Sequence, residues 1–199
     1  MSELLAFIRL GFGHITNLEA LDHILFLLAL AAIYRGRDWR SSLWVVSAFT
    51  VGHSITLALA VTGAMTLPTT LIEFLIPVTI VATGAENLLV RDRARAPLGG
   101  RSRPVFAGVF GLVHGAGFAS YLQQLFIGSV VVPLFGFNVG IELGQLVVLA
   151  AAGAGLAAFD RLLRLSQVNR VRSYRLRVVT VALVVVAVAA EMAAARRPW

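Results

Sequence analysis

The 199-residue sequence contains no cysteine and few charged residues, and both absences restrict what it can be. Without cysteine, the protein has no disulfide, iron–sulfur cluster or thiolate metal site. Only 14% of the residues are charged and 58% are hydrophobic, whereas about 25% of the residues of a soluble domain are charged. Several apolar stretches approach or exceed the ~20 residues that a helix needs to cross a bilayer. The sequence therefore predicts an all-α, polytopic membrane protein that contacts the lipid bilayer directly.

Other features are also missing. The N-terminus opens with Glu3 and lacks the basic region that begins a cleavable signal peptide. Nothing resembles a nucleotide-binding loop, so any transport would depend on a gradient or on trapping of the cargo. The net charge of +7 comes from arginines between apolar segments, and membrane topology explains that placement better than nucleic-acid binding does. A nucleic-acid partner is not expected.

The apolar runs alternate with joins of two kinds. The joins near 64–68 and 128–131 carry no charge, whereas three joins are rich in arginine: 35–40, 91–103 and 160–177. The positive-inside rule places these basic joins in the cytoplasm and both chain ends outside. About six transmembrane helices are predicted, over 19–34, 42–63, 69–90, 104–127, 131–159 and 176–195.

Short stretches recur in the two halves of the chain. "FTVGHSITL" at 49–57 matches "FNVGIELGQ" at 137–145 in its F-x-V-G frame, and "LDH" at 21–23 lies about 90 residues before "LVH" at 112–114. An odd number of helices in each half would invert the second copy, as in many secondary transporters. Chance similarity among small and apolar residues is the alternative. The expected organisation is a single transmembrane domain, 1–199, with inverted repeat halves 1–95 and 100–199.

Polar side chains persist inside the predicted spans, where a charged group at a helix centre costs about 2.5–3.5 kcal/mol. Intramembrane ionisable residues are functional-site candidates for that reason, although interhelical hydrogen bonding is an alternative for each one. Two sets share a helix face: Asn138, Glu142 and Gln145 on one helix, and Thr50, His53 and Ser54 on another. The remaining candidates are Asp22, His23, Glu86, Asn87 and His114. Glu86 would alternatively pair with a basic residue at the cytoplasmic end of its helix.

Imidazole and carboxylate ligands without thiolate suit Ni²⁺, Co²⁺, Zn²⁺, Fe²⁺ or Mn²⁺, and ligand type does not separate these metals. In a secondary transporter, Asp22 and His23 would capture the ion outside. The residues that would then hold it are His53, His114, Asn138 and Glu142. The alternative is a membrane-embedded zinc-type hydrolase with Glu142 as general base. The predicted repeat and the lack of a recognisable hydrolytic motif favour transport over an enzyme. A structural membrane protein is a third hypothesis.

Five motifs together resemble the HupE/UreJ family of bacterial inner-membrane proteins: "GFGHI…LDHILFLLAL", "FTVGHSITLALA", "GAENLL", "FGLVHGAGFA" and "FNVGIELGQL". The resemblance implies a multi-pass permease of the bacterial inner (cytoplasmic) membrane that takes up nickel or cobalt. It implies these metal ligands: His14, Asp22, His23, His53, Glu86, His114, Asn138 and Glu142. The supporting residues would be Thr50, Ser54, Asn87 and Gln145. A glycine-rich helix face would permit a homo-oligomer.

His14 can reach the proposed metal site only if the backbone before Asp22 has a particular geometry. Residues 3–13 are too short to span and are expected to dip into, or lie on, the outer interface. His14 lies eight positions before Asp22, a spacing that differs from the family's usual one. His14 can therefore join the site only if the segment is broken near Thr16–Asn17.

Overall fold

The structure is a computed structural model that describes residues 2–18, 20–34, 38–66, 68–89, 103–125 and 130–199. These residues form seven α-helices and no strand, which confirms the all-α class. The helices are α1 (Glu3–Thr16), α2 (Leu21–Ile33), α3 (Trp39–Val61), α4 (Thr69–Leu89), α5 (Arg103–Leu125), α6 (Val131–Leu165) and α7 (Arg170–Ala195). Most of the basic join predicted at 91–103, and part of the one at 35–40, lie outside the described residues.

Four of the described helices, α3, α4, α6 and α7, are long and apolar enough to cross a membrane. The α1–α2 pair would add a fifth crossing if its two bent helices form one span. The sequence predicted six, and α5 accounts for the difference. It has 23 residues, enough to cross a bilayer, but glycine and polar residues dilute its apolar character.

The first predicted span, 19–34, is replaced in the structure by two helices, α1 and α2, which meet at a bend. Within it, α2 has 13 residues, which rise only about 20 Å and cannot cross a ~30 Å hydrocarbon core alone. The preceding helix, α1, meets α2 at an angle of 69°. The backbone leaves the helical region at Asn17, where ψ is 122°, and at Ala20, where ψ is 61°. The break that His14 requires is therefore present.

The last two helices extend further than predicted, into the third basic join. The predicted spans 131–159 and 176–195 become Val131–Leu165 and Arg170–Ala195, so most of the join 160–177 is helical. The 35 residues of α6 rise about 52 Å, more than the thickness of the bilayer core. One end of α6 must therefore project beyond the hydrocarbon.

Glycines allow α1 to lie directly against α6. A Cβ on Gly136 would lie 2.9 Å from the carbonyl oxygen of Leu4, and one on Gly140 would collide with the carbonyl of Ile8. Further along, a Cβ on Gly144 would meet the backbone and side chains near the end of α1. The contacts advance in the same direction on both helices, so α1 and α6 run parallel. Rather than lying on the outer interface, α1 is part of the bundle.

A second pair, α3 and α5, is packed in the same way. A Cβ on Gly111 would collide with the carbonyl of Phe49, and one on Gly115 would collide with the carbonyl of His53. These contacts also advance together, so α5 runs parallel to α3 at the same depth. This is the arrangement expected if α5 crosses the bilayer and α1 with α2 forms one broken span.

Candidate metal centre

Four helices each contribute one histidine to the interior of the bundle. His14 lies in the last turn of α1 and His23 in the first turn of α2, on either side of the break. The centroids of these two rings are 4.6 Å apart. His53 on α3 lies 6.5 Å from His23, and His114 on α5 lies 5.5 Å from His23, again between ring centroids. The four imidazoles form a continuous group, which we call the histidine cluster.

Three members of the cluster have the geometry of a metal site. One ring nitrogen from each of His14, His23 and His53 lies within 4.8 Å of the other two. Nitrogens bound to one ion at about 2.1 Å with tetrahedral angles lie roughly 3.4 Å apart. Ring adjustments of about 1 Å would therefore bring all three nitrogens onto a single ion.

The cluster is buried, and many of its nitrogens lack hydrogen-bond partners within the described part of the chain. His53 is 0% exposed and His114 is 2% exposed. The buried nitrogens without a partner are His14 Nε2, His23 Nε2, both nitrogens of His53, and His114 Nδ1. An unsatisfied buried polar atom costs about 1–3 kcal/mol. A cation bound among these nitrogens would remove that cost.

A carboxylate fixes the orientation of His23. The Oδ1 atom of Asp22 lies 3.0 Å from His23 Nδ1 and also accepts a hydrogen bond of 2.9 Å from the His23 backbone N–H. Because a carboxylate only accepts, His23 carries its proton on Nδ1. Its Nε2 lone pair is then directed away from Asp22. A carboxylate–histidine pair of this kind also raises the basicity of a metal ligand.

A threonine fixes the orientation of His114 in the same sense. The hydroxyl of Thr79 donates its proton to the carbonyl of Ile76 over 2.7 Å. Its oxygen therefore accepts from His114 Nε2, 3.1 Å away. That bond leaves an unprotonated Nδ1, the atom without a partner, available to a cation. Sequence reasoning missed Thr79, since a threonine inside a membrane helix carries no distinctive signal.

Aromatic rings surround the histidine cluster. The ring of Phe118 lies 3.9 Å from that of His14, between centroids, and stacks on Phe137 at 5.3 Å. On the other side, the rings of Phe49 and Phe26 lie 5.1 and 5.6 Å from His114. This apolar shell lowers the local dielectric and so strengthens electrostatic interactions inside it.

Two polar residues of α6, Glu142 and Gln145, accept hydrogen bonds from α3. The hydroxyl of Ser47 donates to Glu142 Oε1 over 2.8 Å, and Thr50 donates to Gln145 Oε1 over 2.7 Å. Ser54 donates to a carbonyl of its own helix over 2.6 Å. In the described chain, Glu142 does not belong to a group of three or more possible ligands. Asn138, one residue after Phe137, has a buried Oδ1 without a partner among the described residues.

The last predicted ligand, Glu86, and the predicted supporting residue Asn87 lie in a second polar group, which links α4 to α2 and α5. Arg103 Nη2 lies 3.3 Å from Glu86 Oε2 and donates to Asn87 Oδ1 over 3.0 Å. Asn87 in turn donates to the carbonyl of Ala29 over 2.7 Å. The alternative role for Glu86, pairing with a basic residue, thus has a specific partner. Glu86 is not among the three grouped ligands in the described chain.

The residue directly after α7 contacts Asp22, next to the histidine cluster. Arg196 Nη1 lies 3.8 Å from Asp22 Oδ2, and its side chain is 36% exposed. Sequence reasoning missed this contact. Its signal was the unusual "RRPW" ending, which places two arginines at a predicted outer end of the chain.

A family model described as HupE / UreJ protein matches residues 1–197. No curated protein and no solved structure matches the chain.

Proposed function

Because this chain belongs to the HupE/UreJ family of membrane proteins, which is associated with nickel and cobalt transport, we propose that it is a secondary transporter for a divalent transition metal. Nickel and cobalt are the cargo ions that the family favours, and zinc suits the same ligands. His14, His23 and His53 would hold the ion, with His114 beside them. The proposed location is the bacterial inner membrane, with the basic joins in the cytoplasm.

The convergence of His14, His23 and His53 is the observation that carries this proposal. Their nitrogens come from three helices and lie within 4.8 Å of one another, in an interior where unpartnered polar atoms are costly. An ordinary structural histidine would instead be hydrogen-bonded to a neighbouring helix. Imidazole nitrogen is a preferred ligand of nickel, cobalt and zinc.

The entrance would lie beside Asp22. Its side chain retains 15% exposure, whereas that of His23 behind it is 7% exposed. Arg196 is partly exposed and lies next to Asp22, so it would occupy the same carboxylate before an ion arrives. An incoming divalent cation would displace this weaker, solvent-screened partner.

Matching contacts support two inverted halves. Gly11 lies against the Phe137 carbonyl as Gly111 lies against that of Phe49, and each glycine is followed three positions later by a histidine, in a G-x-x-H frame. The repeat therefore pairs α1 with α5 and α6 with α3, and "GFGH" rather than "LDH" is the counterpart of "GLVH". Rocking of these halves about the histidine cluster would give alternating access.

Uptake by reconstituted protein tests the proposal. Proteoliposomes containing the wild type should accumulate radioactive Ni²⁺ or Co²⁺, and His53→Ala should lose uptake because it removes a buried ligand. Thr56→Val is the matched control, since Thr56 is also buried on α3, with 3% exposure, and valine preserves its shape. Absence of uptake of any divalent metal by the wild type would refute transport, and equal uptake by His53→Ala would refute the site.

A further inference from the structure

A large pocket lies between α2, α3, α6 and α7. Its volume is about 690 Å³, which is within the usual range for ligand sites. No histidine lines it among the described residues, so it is separate from the histidine cluster. The metal-transport proposal does not use it.

The pocket is positively charged at one end and apolar along its walls. Three arginines, Arg164, Arg170 and Arg177, face a single aspartate, Asp160, among the described lining residues, which leaves two net positive charges. Asp160 is already bonded to Arg177, with an Nη1–Oδ2 distance of 2.6 Å. The guanidinium groups of Arg164 and Arg170 are exposed and form no hydrogen bond or ion pair with the described chain. This charge repels a metal cation and favours an anion.

Aromatic residues indicate the depth of the pocket. Tyr34, Trp39 and Tyr174 line it, and tyrosine and tryptophan are enriched where a bilayer meets water. Arg164 and Arg170 are on either side of the short turn between α6 and α7, within a join whose arginine content predicts the cytoplasmic side. The charged end thus lies at headgroup level, and the apolar walls extend into the hydrocarbon.

We propose that this pocket binds one anionic phospholipid of the cytoplasmic leaflet. The lipid phosphate would lie between Arg164 and Arg170, and an acyl chain would cover the leucine side chains of α6. Basic pockets between transmembrane helices on the cytoplasmic side bind acidic headgroups in this manner. A free phosphate would leave the apolar walls uncovered, which is why a lipid fits the whole pocket better.

Lipid titration of the full chain in detergent tests this proposal. Native mass spectrometry would follow binding of phosphatidylglycerol and of phosphatidylcholine, and a parallel titration would use inorganic phosphate. Phosphatidylglycerol should bind preferentially, with one tight site. Arg164→Gln combined with Arg170→Gln should weaken binding at that site by about 25-fold. Each arginine near the bilayer surface contributes about fivefold in affinity, and the two factors multiply.

The matched control is Arg161→Gln combined with Arg175→Gln. These exposed arginines lie on the same two helices but do not line the pocket, so the charge change is identical and binding should persist. Equal binding of the two lipids, equal weakening by both double variants, or displacement of the lipid by inorganic phosphate would each overturn the proposal. If the double variant does not yield monodisperse protein, the two single variants provide the same comparison.

Discussion

Replacement of Asp22 by asparagine should weaken metal binding through the ring of His23. Asp22 Oδ1 lies 3.0 Å from His23 Nδ1 and 2.9 Å from the His23 backbone nitrogen. Asparagine keeps the shape and one acceptor oxygen, but it removes the charge that polarises the imidazole. The His23 Nε2 lone pair then becomes a poorer ligand.

Asp22 makes two contacts that change the metal affinity in opposite directions: the one with His23 strengthens binding, and the one with Arg196 weakens it. Loss of a carboxylate behind a metal-binding histidine costs about 10–100-fold in affinity. Asp22 also pairs with Arg196 at 3.8 Å, but Arg196 is 36% exposed, so this pair contributes at most about 1 kcal/mol. Arg196→Gln should therefore tighten metal binding by no more than about fivefold, since it frees Asp22. The double variant should resemble Asp22→Asn alone.

Competition for Ni²⁺ between the detergent-solubilised protein and a chelating dye would measure these affinities. Glu73→Gln is the matched control, because it makes the same acid-to-amide change at an exposed position of α4. It should leave the affinity unaltered. An Asp22→Asn affinity within threefold of the wild type would refute the proposed role of Asp22. Equal losses in Asp22→Asn and Arg196→Gln would show that their ion pair, rather than the orientation of His23, matters.

Three further predictions follow from the packing and the polar contacts. Gly11→Ala should force α1 away from the α6 backbone and lower the free energy of unfolding by about 1–3 kcal/mol. Gly13→Ala is the control and should leave the stability unchanged, because its added Cβ meets nothing within 4 Å. Thermal unfolding would compare the two variants. Thr79→Val removes the acceptor that fixes the His114 tautomer and should weaken Ni²⁺ binding by about tenfold; an unchanged affinity would exclude His114 from the site. Glu86→Gln should lower the free energy of unfolding by about 3 kcal/mol because it leaves the buried Arg103 without a counter-charge, while Ni²⁺ affinity stays within threefold. A large loss of affinity in Glu86→Gln would instead support a ligand role.

Sequence alone predicted the all-α membrane class and proposed His23, His53 and His114 as site residues, whereas His14 was added by the family resemblance. His53 and His114 stand out because each is an ionisable residue within an otherwise apolar helix, where its cost is high. The partners of Glu86 and Glu142 could not be predicted in the same way. Each depends on which helix lies alongside, and only the packed structure brings Ser47 to Glu142 and Arg103 to Glu86.

Helix ends were predicted less well than helix interiors. Hydropathy places the fifth predicted span at 131–159, although the charged residues beyond it continue the helix to Leu165. Once a helix leaves the hydrocarbon, water can solvate its side chains, so its composition no longer marks its end. The start of the first span was missed for a different reason. Residues 14–23 contain no proline or glycine, the residues that usually signal a break.

That break is the physical origin of the proposed centre. In an uninterrupted helix, the nine positions from His14 to His23 would turn the second ring by about 900°, which places it on the opposite face, roughly 13.5 Å further along the axis. The two rings would then be unable to share an ion. In the structure, the change of direction between α1 and α2 brings the ring centroids to 4.6 Å, and Gly11 holds α1 against α6 immediately before the break. The close packing of α1 and the convergence of its histidine with His23 and His53 are thus one structural feature, and displacing α1 should weaken metal binding without altering any ligand.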